Sequence, residues 1–190
     1  MTATKTIQTA ALSICVGFVL TLTAIANGQS VTEKQAIKVF EEEAREYVKL
    51  RNQVKEKIPS LSKDATPEQI HTFLISFQDA TRAARTGAKA GEIFKPEVAT
   101  YIRAMLKTHF RGSDRVELRK TIFEAENEKI PLRVNYPYPQ SKEFTEMPAT
   151  LLLKLPQLPK ELRYRFVGRN MLLVDRDNIL IVDYMMDALP

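Results

Sequence analysis

Cysteine is nearly absent from this chain: the single thiol is Cys15. Tryptophan is missing, histidine occurs only at His71 and His109, and 190 residues hold six glycines. Each scarcity excludes something. One cysteine forms no intramolecular disulfide and no cysteine-based metal site. Two histidines on separate segments fall short of the three or four converging ligands that a zinc site needs. No Gly-x-Gly-x-x-Gly turn and no phosphate-binding loop occurs. Thr86-Gly87-Ala88-Lys89-Ala90-Gly91 has two glycines and a lysine, but it lacks the required spacing and a preceding strand, and reads as a helix terminator. No serine stands in a Gly-x-Ser-x-Gly elbow. Asp175, Asp177 and Asn178 lack the glycine and closing glutamate of a calcium loop and read as a polar turn.

What is present begins at the N-terminus. Lys5 precedes an uncharged apolar run from Ala10 to Ile25, and Ala24-Ile25-Ala26 is a small-x-small cleavage signal. This order predicts a secretory signal peptide over residues 1–26, cleaved after Ala26. The run is shorter than the ~20 residues of a spanning helix. No basic cluster follows it to stop transfer, so no stable transmembrane span is expected after processing. The alternative is an uncleaved N-terminal anchor. Cys15 lies mid-run, which argues against a lipoprotein, and no Arg-Arg pair precedes the run. The reading places the mature protein in the periplasm or outside the cell, with no thiol left.

Residues 27–190 make one domain by length. Such a chain buries about two thirds of its unfolded surface, enough for a core without disulfides. Loss of Lys5 lowers the net charge of +5 to about +4. The charges are interspersed, so nucleic acid is not an expected partner. An anionic envelope surface remains compatible through diffuse attraction.

Residues 31–128 read as helical. Thr32 with Gln35 forms a capping box, and Ala36, Phe40, Ala44, Tyr47, Val54 and Ile58 make one stripe. Glu41–Glu43 lie early and Lys49, Arg51, Lys55 and Lys57 late, as the helix dipole favours on a solvated face. Thr66-Pro67-Glu68-Gln69 starts a second helix with Ile70, Phe73, Leu74, Phe77, Thr81, Ala84 and Ala88 inward. Pro96 starts a third, with Val98, Tyr101, Ile102, Met105, Leu106 and Phe110 inward. Ser113 caps a fourth, with Val116, Ile122 and Phe123 inward. Arg111, Arg115, Arg119 and Lys120 form a basic edge on its outer side. That edge is ordinary surface charge or a contact for an anionic partner.

Residues 129–161 form a proline-rich bridge. Leu132 to Tyr136 alternates like an edge strand between prolines. Tyr136 and Tyr138 offer either core packing or a ligand platform. Residues 148–154 fit a helical turn with Leu151, Leu152 and Leu153. Residues 162–186 read as an antiparallel β-meander: strands from Leu162, from Met171 to Val174 and from Ile179 to Tyr184, with turns at Gly168-Arg169-Asn170 and at residues 175–178. Asn178 is the residue suited to a left-handed turn position. Arg163 and Arg165 are expected to face Asp175 or Asp183 across the sheet. The fold class is α+β, about four helices packed on the apolar face of a small C-terminal antiparallel meander.

Leu158-Pro159, Tyr164-Arg165-Phe166-Val167-Gly168, Leu172-Leu173-Val174-Asp175 and Ile179-Leu180-Ile181-Val182-Asp183 resemble the C-terminal meander of the periplasmic nickel/cobalt-homeostasis regulator family. The mature chain also resembles uncharacterised exported bacterial proteins. The regulator family often has glycine in the second turn, where this chain has Asn178. Its metal role does not carry over, because the matched segment holds neither His nor Cys.

No residue is assigned as catalytic, cofactor-binding or metal-ligating, and no cofactor is expected. His71 has Glu68 one turn before it, and His109 borders an apolar stripe; they are the only seeds for chemistry. The expected function is a non-catalytic binding or structural module of the bacterial envelope, contacting another envelope protein or an anionic surface. The alternatives are a small periplasmic hydrolase, for which a histidine must reach both an acid and a hydroxyl, and a metal-responsive periplasmic protein.

Overall fold

The computed structural model describes residues 24–109, 116, 131–138 and 149–189, with side chains from Thr32 onward. Three long helices, α1 (Ala24–Glu56), α2 (Pro67–Ala84) and α3 (Pro96–His109), precede a one-turn helix α4 (Ala149–Leu152). Strands β1 (Leu162–Val167), β2 (Asn170–Asp175) and β3 (Ile181–Met185) follow, in the order β1-β2-β3, antiparallel throughout. The fold is α+β. The Ser113-capped helix lies outside the described residues. Val116, the one described residue of that segment, is helical but 72% exposed.

α1 does not start at Thr32. The helix is continuous from Ala24, so Thr32 lies within it. Ala24-Ile25-Ala26 is helix-compatible, and Asn27-Gly28 alone does not stop propagation. Phe40, Ala44, Tyr47 and Val54 are buried as the stripe requires, and Glu41 pairs with Arg45. Arg51 departs from the reading: it is 2% exposed.

α2 starts as its sequence dictates. Thr66 accepts from the Gln69 amide, the Gln69 side chain accepts from the Thr66 amide, and Pro67 opens the helix. Its buried face is narrower than the apolar spacing implies. Phe77, Gln78 and Thr81 are buried, while Ile70 is 50% exposed. The helix docks through a short, half-polar stripe: Phe77 lies beneath the Arg51 guanidinium, and Gln78 donates to the Asn178 carbonyl. Gly87 and Gly91, both with positive φ, carry the chain out of α2.

The sheet is covered on both faces, not one. On one side Tyr164, Phe166, Met171, Leu173 and Val182 pack against Phe40 and Ala44 of α1 and Val98, Ile102 and Leu106 of α3. Phe40, Phe94 and Tyr164 form a triangle of rings, with centroids 5.4, 6.3 and 6.5 Å apart. On the other side Leu172, Val174 and Ile181 pack against Tyr138, with Leu132 beside them. β2 is therefore sealed above and below.

Residues 131–138 do not form the expected regular strand, though they do run along the β3 edge. Asn135 N–H donates to Ile181, Ile181 to Tyr136, and Tyr138 to Ile179, at 2.8, 2.9 and 3.0 Å. Asn135 at φ 65 kinks the segment, and Pro137 supplies no N–H. The second sheet turn also differs from expectation. Ile179, not Asn178, has positive φ, at 61. The Asn178 side chain is instead occupied within the turn, accepting from Leu180 N–H at 3.0 Å. β3 accordingly starts at Ile181.

Candidate functional site

The sequence places Asp175 or Asp183 opposite Arg163 and Arg165. The structure gives both acids other partners. Asp175 is fully buried and accepts from the Tyr47 hydroxyl at 2.8 Å and Arg51 Nε at 2.7 Å. Arg51 also donates to Asp177, which Lys55 reaches at 2.9 Å. Burial and the Asp175 charge raise the Tyr47 pKa well above the ordinary tyrosine value. For Arg51, burial pulls the pKa down, but Asp175 and Asp177 outweigh it and raise it. Asp183 is held by backbone: Gly91 and Tyr184 N–H groups donate to Oδ1, and Ile93 and Phe94 N–H groups to Oδ2, all at 2.7 Å. Burial outweighs these four donors and raises the Asp183 pKa. The Asp175 and Asp183 carboxylates are turned inward, so they join α1, the 91–94 loop and the sheet, while Asp177 and Lys55 close the first network at the surface, 44% and 43% exposed.

The open chemistry lies at the far end of α2. The helix terminus, the Thr86–Ala90 loop and residues 132–136 enclose a groove of about 580 Å³. Arg82, Arg85, Lys89 and Arg133 line it, with Tyr136 and Tyr184, and no acid lines it among the described residues. Arg85 sets the geometry. Its Nη1 donates to Asn135 Oδ1 at 2.6 Å and to the Val182 carbonyl at 3.1 Å, while Asn135 Nδ2 donates back to the Arg85 carbonyl at 2.9 Å. Arg82 Nε adds a bond to the Asn135 carbonyl at 3.2 Å. Asn135 is thereby held in its left-handed conformation, which asparagine tolerates better than most residues. Burial lowers the Arg85 pKa from the ordinary arginine value; a guanidinium still keeps its proton near neutrality.

Two of the four cations are balanced by acids beside the groove: Arg82 by Asp79 at 2.7 Å and Arg85 by Glu92 at 3.8 Å. Lys89 and Arg133 are exposed, and among the described residues no acid pairs with either. Arg133 and Arg82 both lie against Tyr136, at 3.9 and 5.1 Å from its ring centroid. A neighbouring hollow of about 460 Å³ also touches Arg85, but Glu43, Glu46 and Glu92 line it, so it offers an anion no net attraction.

Of the residues singled out from sequence, Tyr136 lies at this groove, 39% exposed. Tyr138 is buried at 3% exposure against β2 and β3, and its ring is packing. Arg111, Arg115, Arg119 and Lys120 lie outside the described residues. His71 is exposed on α2, and His109 is exposed at the end of α3 with Nδ1 2.8 Å from the Met105 carbonyl oxygen. Neither histidine reaches an acid or a hydroxyl among the described residues. No three His, Cys, Asp or Glu side chains converge among the described residues, and no described helix is long and apolar enough to cross a membrane. Sequence reasoning missed Arg82, Arg85, Lys89 and Arg133 as a group, because the topology joins them, not the spacing.

Comparison with protein-family models, curated proteins and solved structures finds no match to this chain.

Proposed function

We propose that this protein is an exported, non-catalytic binding module of the bacterial envelope that holds an anionic envelope component in the groove between the end of α2 and residues 132–136. One observation carries this reading: four cationic side chains and an exposed tyrosine line a concave surface that has no acid among its described lining residues. Concave sites with a few placed polar groups are the usual form of a ligand site. The N-terminal pattern, Lys5 followed by the Ala10–Ile25 run and Ala24-Ile25-Ala26, supplies the export half of the proposal.

The test is co-sedimentation of the protein, purified after expression of the full chain, with isolated bacterial envelopes. Binding at low salt and release at high salt is the expected result, since exposed charge pairs are screened. Absence of envelope binding at every salt concentration ends the reading.

A further inference from the structure

We infer that the ligand of this groove carries a phosphate group, an assignment that rests on the binding reading above and narrows it. The charge count comes first. Asp79 and Glu92 balance Arg82 and Arg85, which leaves Lys89 and Arg133 as two positive charges without an acidic partner among the described residues. A phosphomonoester carries about −1.5 to −2 at neutral pH and complements such a pair, while a carboxylate supplies half of it.

Direction is the second argument. The cations arrive from three different segments: Arg82 and Arg85 from the end of α2, Lys89 from the following loop and Arg133 from the kinked edge segment. A tetrahedral phosphate presents oxygens to several sides at once; a planar carboxylate presents two in one plane. Arg133 rests against the Tyr136 ring at 3.9 Å. A guanidinium held over an aromatic ring by its charge still has N–H donors to offer an oxyanion.

Size and backbone access add to this. The groove, about 580 Å³, exceeds a bare phosphate and suits a small phosphorylated head. Gly87, at φ 86, lies in its lining, and the space where a Cβ would stand is empty. The main chain is therefore open to a close-lying ligand there.

The probe is glycerol 3-phosphate, titrated into the purified protein by calorimetry, with succinate as the carboxylate comparison. Saturable binding of glycerol 3-phosphate in preference to succinate is expected. Lys89→Gln/Arg133→Gln should weaken it by at least about tenfold. Lys34→Gln/Lys63→Gln, which removes the same charge elsewhere, should leave it unchanged. Lys89→Glu alone, at an exposed loop position, repeats the test with minimal risk to folding. Vesicles of phosphatidylcholine with and without phosphatidic acid separate the sources: recruitment by phosphatidic acid that glycerol 3-phosphate displaces identifies a lipid headgroup, and binding of the soluble ester alone identifies a free metabolite. Equal loss in both double variants, equal affinity for succinate, or no saturable binding of either phosphate probe overturns the assignment. If envelope binding survives while the phosphate assignment fails, the module reading stands with another anion. If envelopes are not bound at all, the module reading itself falls.

Discussion

Arg51 concentrates the chemistry of the interior in one side chain. Its guanidinium bonds Asp175 and Asp177 and covers Phe77, so it ties α1 to the sheet turn and to α2 at once. Replacing it with methionine leaves the Asp175 carboxylate buried without its counter-charge, which costs about 3–5 kcal/mol in stability; urea unfolding at pH 7 measures the loss. Asp177 shows the pH side of the same network. Burial raises its pKa, but bonds from Lys55 and Arg51 outweigh burial, and the net shift is downward. A lowered folded-state pKa stabilises above the unfolded value of about 4, and the effect is lost as pH falls through the folded value. Asp177→Asn should therefore lower the urea midpoint at pH 7, with the gap to wild type closing toward pH 3. Asp183 runs the opposite way: its raised pKa means that the associated stability is full below the ordinary carboxylate value and declines as pH rises through the raised one. Arg51 was legible in part. It stands four residues after Tyr47 and three before Val54, inside the gap in the α1 stripe. Helical periodicity marks that position as inward, while its charge, among Lys49, Lys55 and Lys57, reads as solvated.

Among the elements, those written in local chemistry were the readable ones. The Thr66 capping box forms as its sequence dictates, and Thr66→Ala should cost about 1 kcal/mol in thermal or urea unfolding. The meander was legible from alternation and turn residues, since β1 buries every second side chain. α2 was less so. Its apolar spacing implied a wide inward face, yet Ile70 and Ala84 are exposed, because its docking depends on Gln78 and Thr81 meeting Asn178. The 131–138 segment was the least readable. Its course depends on Arg85, fifty residues away, gripping Asn135. Asn135→Ala should destabilise more than Asn135→Gly, by about 1 kcal/mol, since both lose the Arg85 bonds but only alanine is strained at positive φ. Unfolding curves of the two variants side by side make that comparison.

For the molecule as a whole, composition and pattern conveyed the class: α+β, with helices before a C-terminal meander. They did not convey that both faces of the sheet are covered, because the second cover is the proline-flanked segment and its one large anchor is Tyr138. Nor did they convey the cationic groove, whose walls come from three segments joined only by folding. The export reading has a direct measurement. Intact-mass analysis of protein purified after expression of the full chain in a bacterial host should find a product beginning at Asn27; a product retaining the residues before it overturns cleavage.

The bond between Arg51 and Asp175 spans 124 positions. A polypeptide growing from its amino end carries the Arg51 half long before the aspartate is synthesised. Until then the guanidinium stays hydrated and α1 has no sheet to settle on. The contact that locks α1 to the sheet therefore closes only after β2 has been delivered, near the end of synthesis.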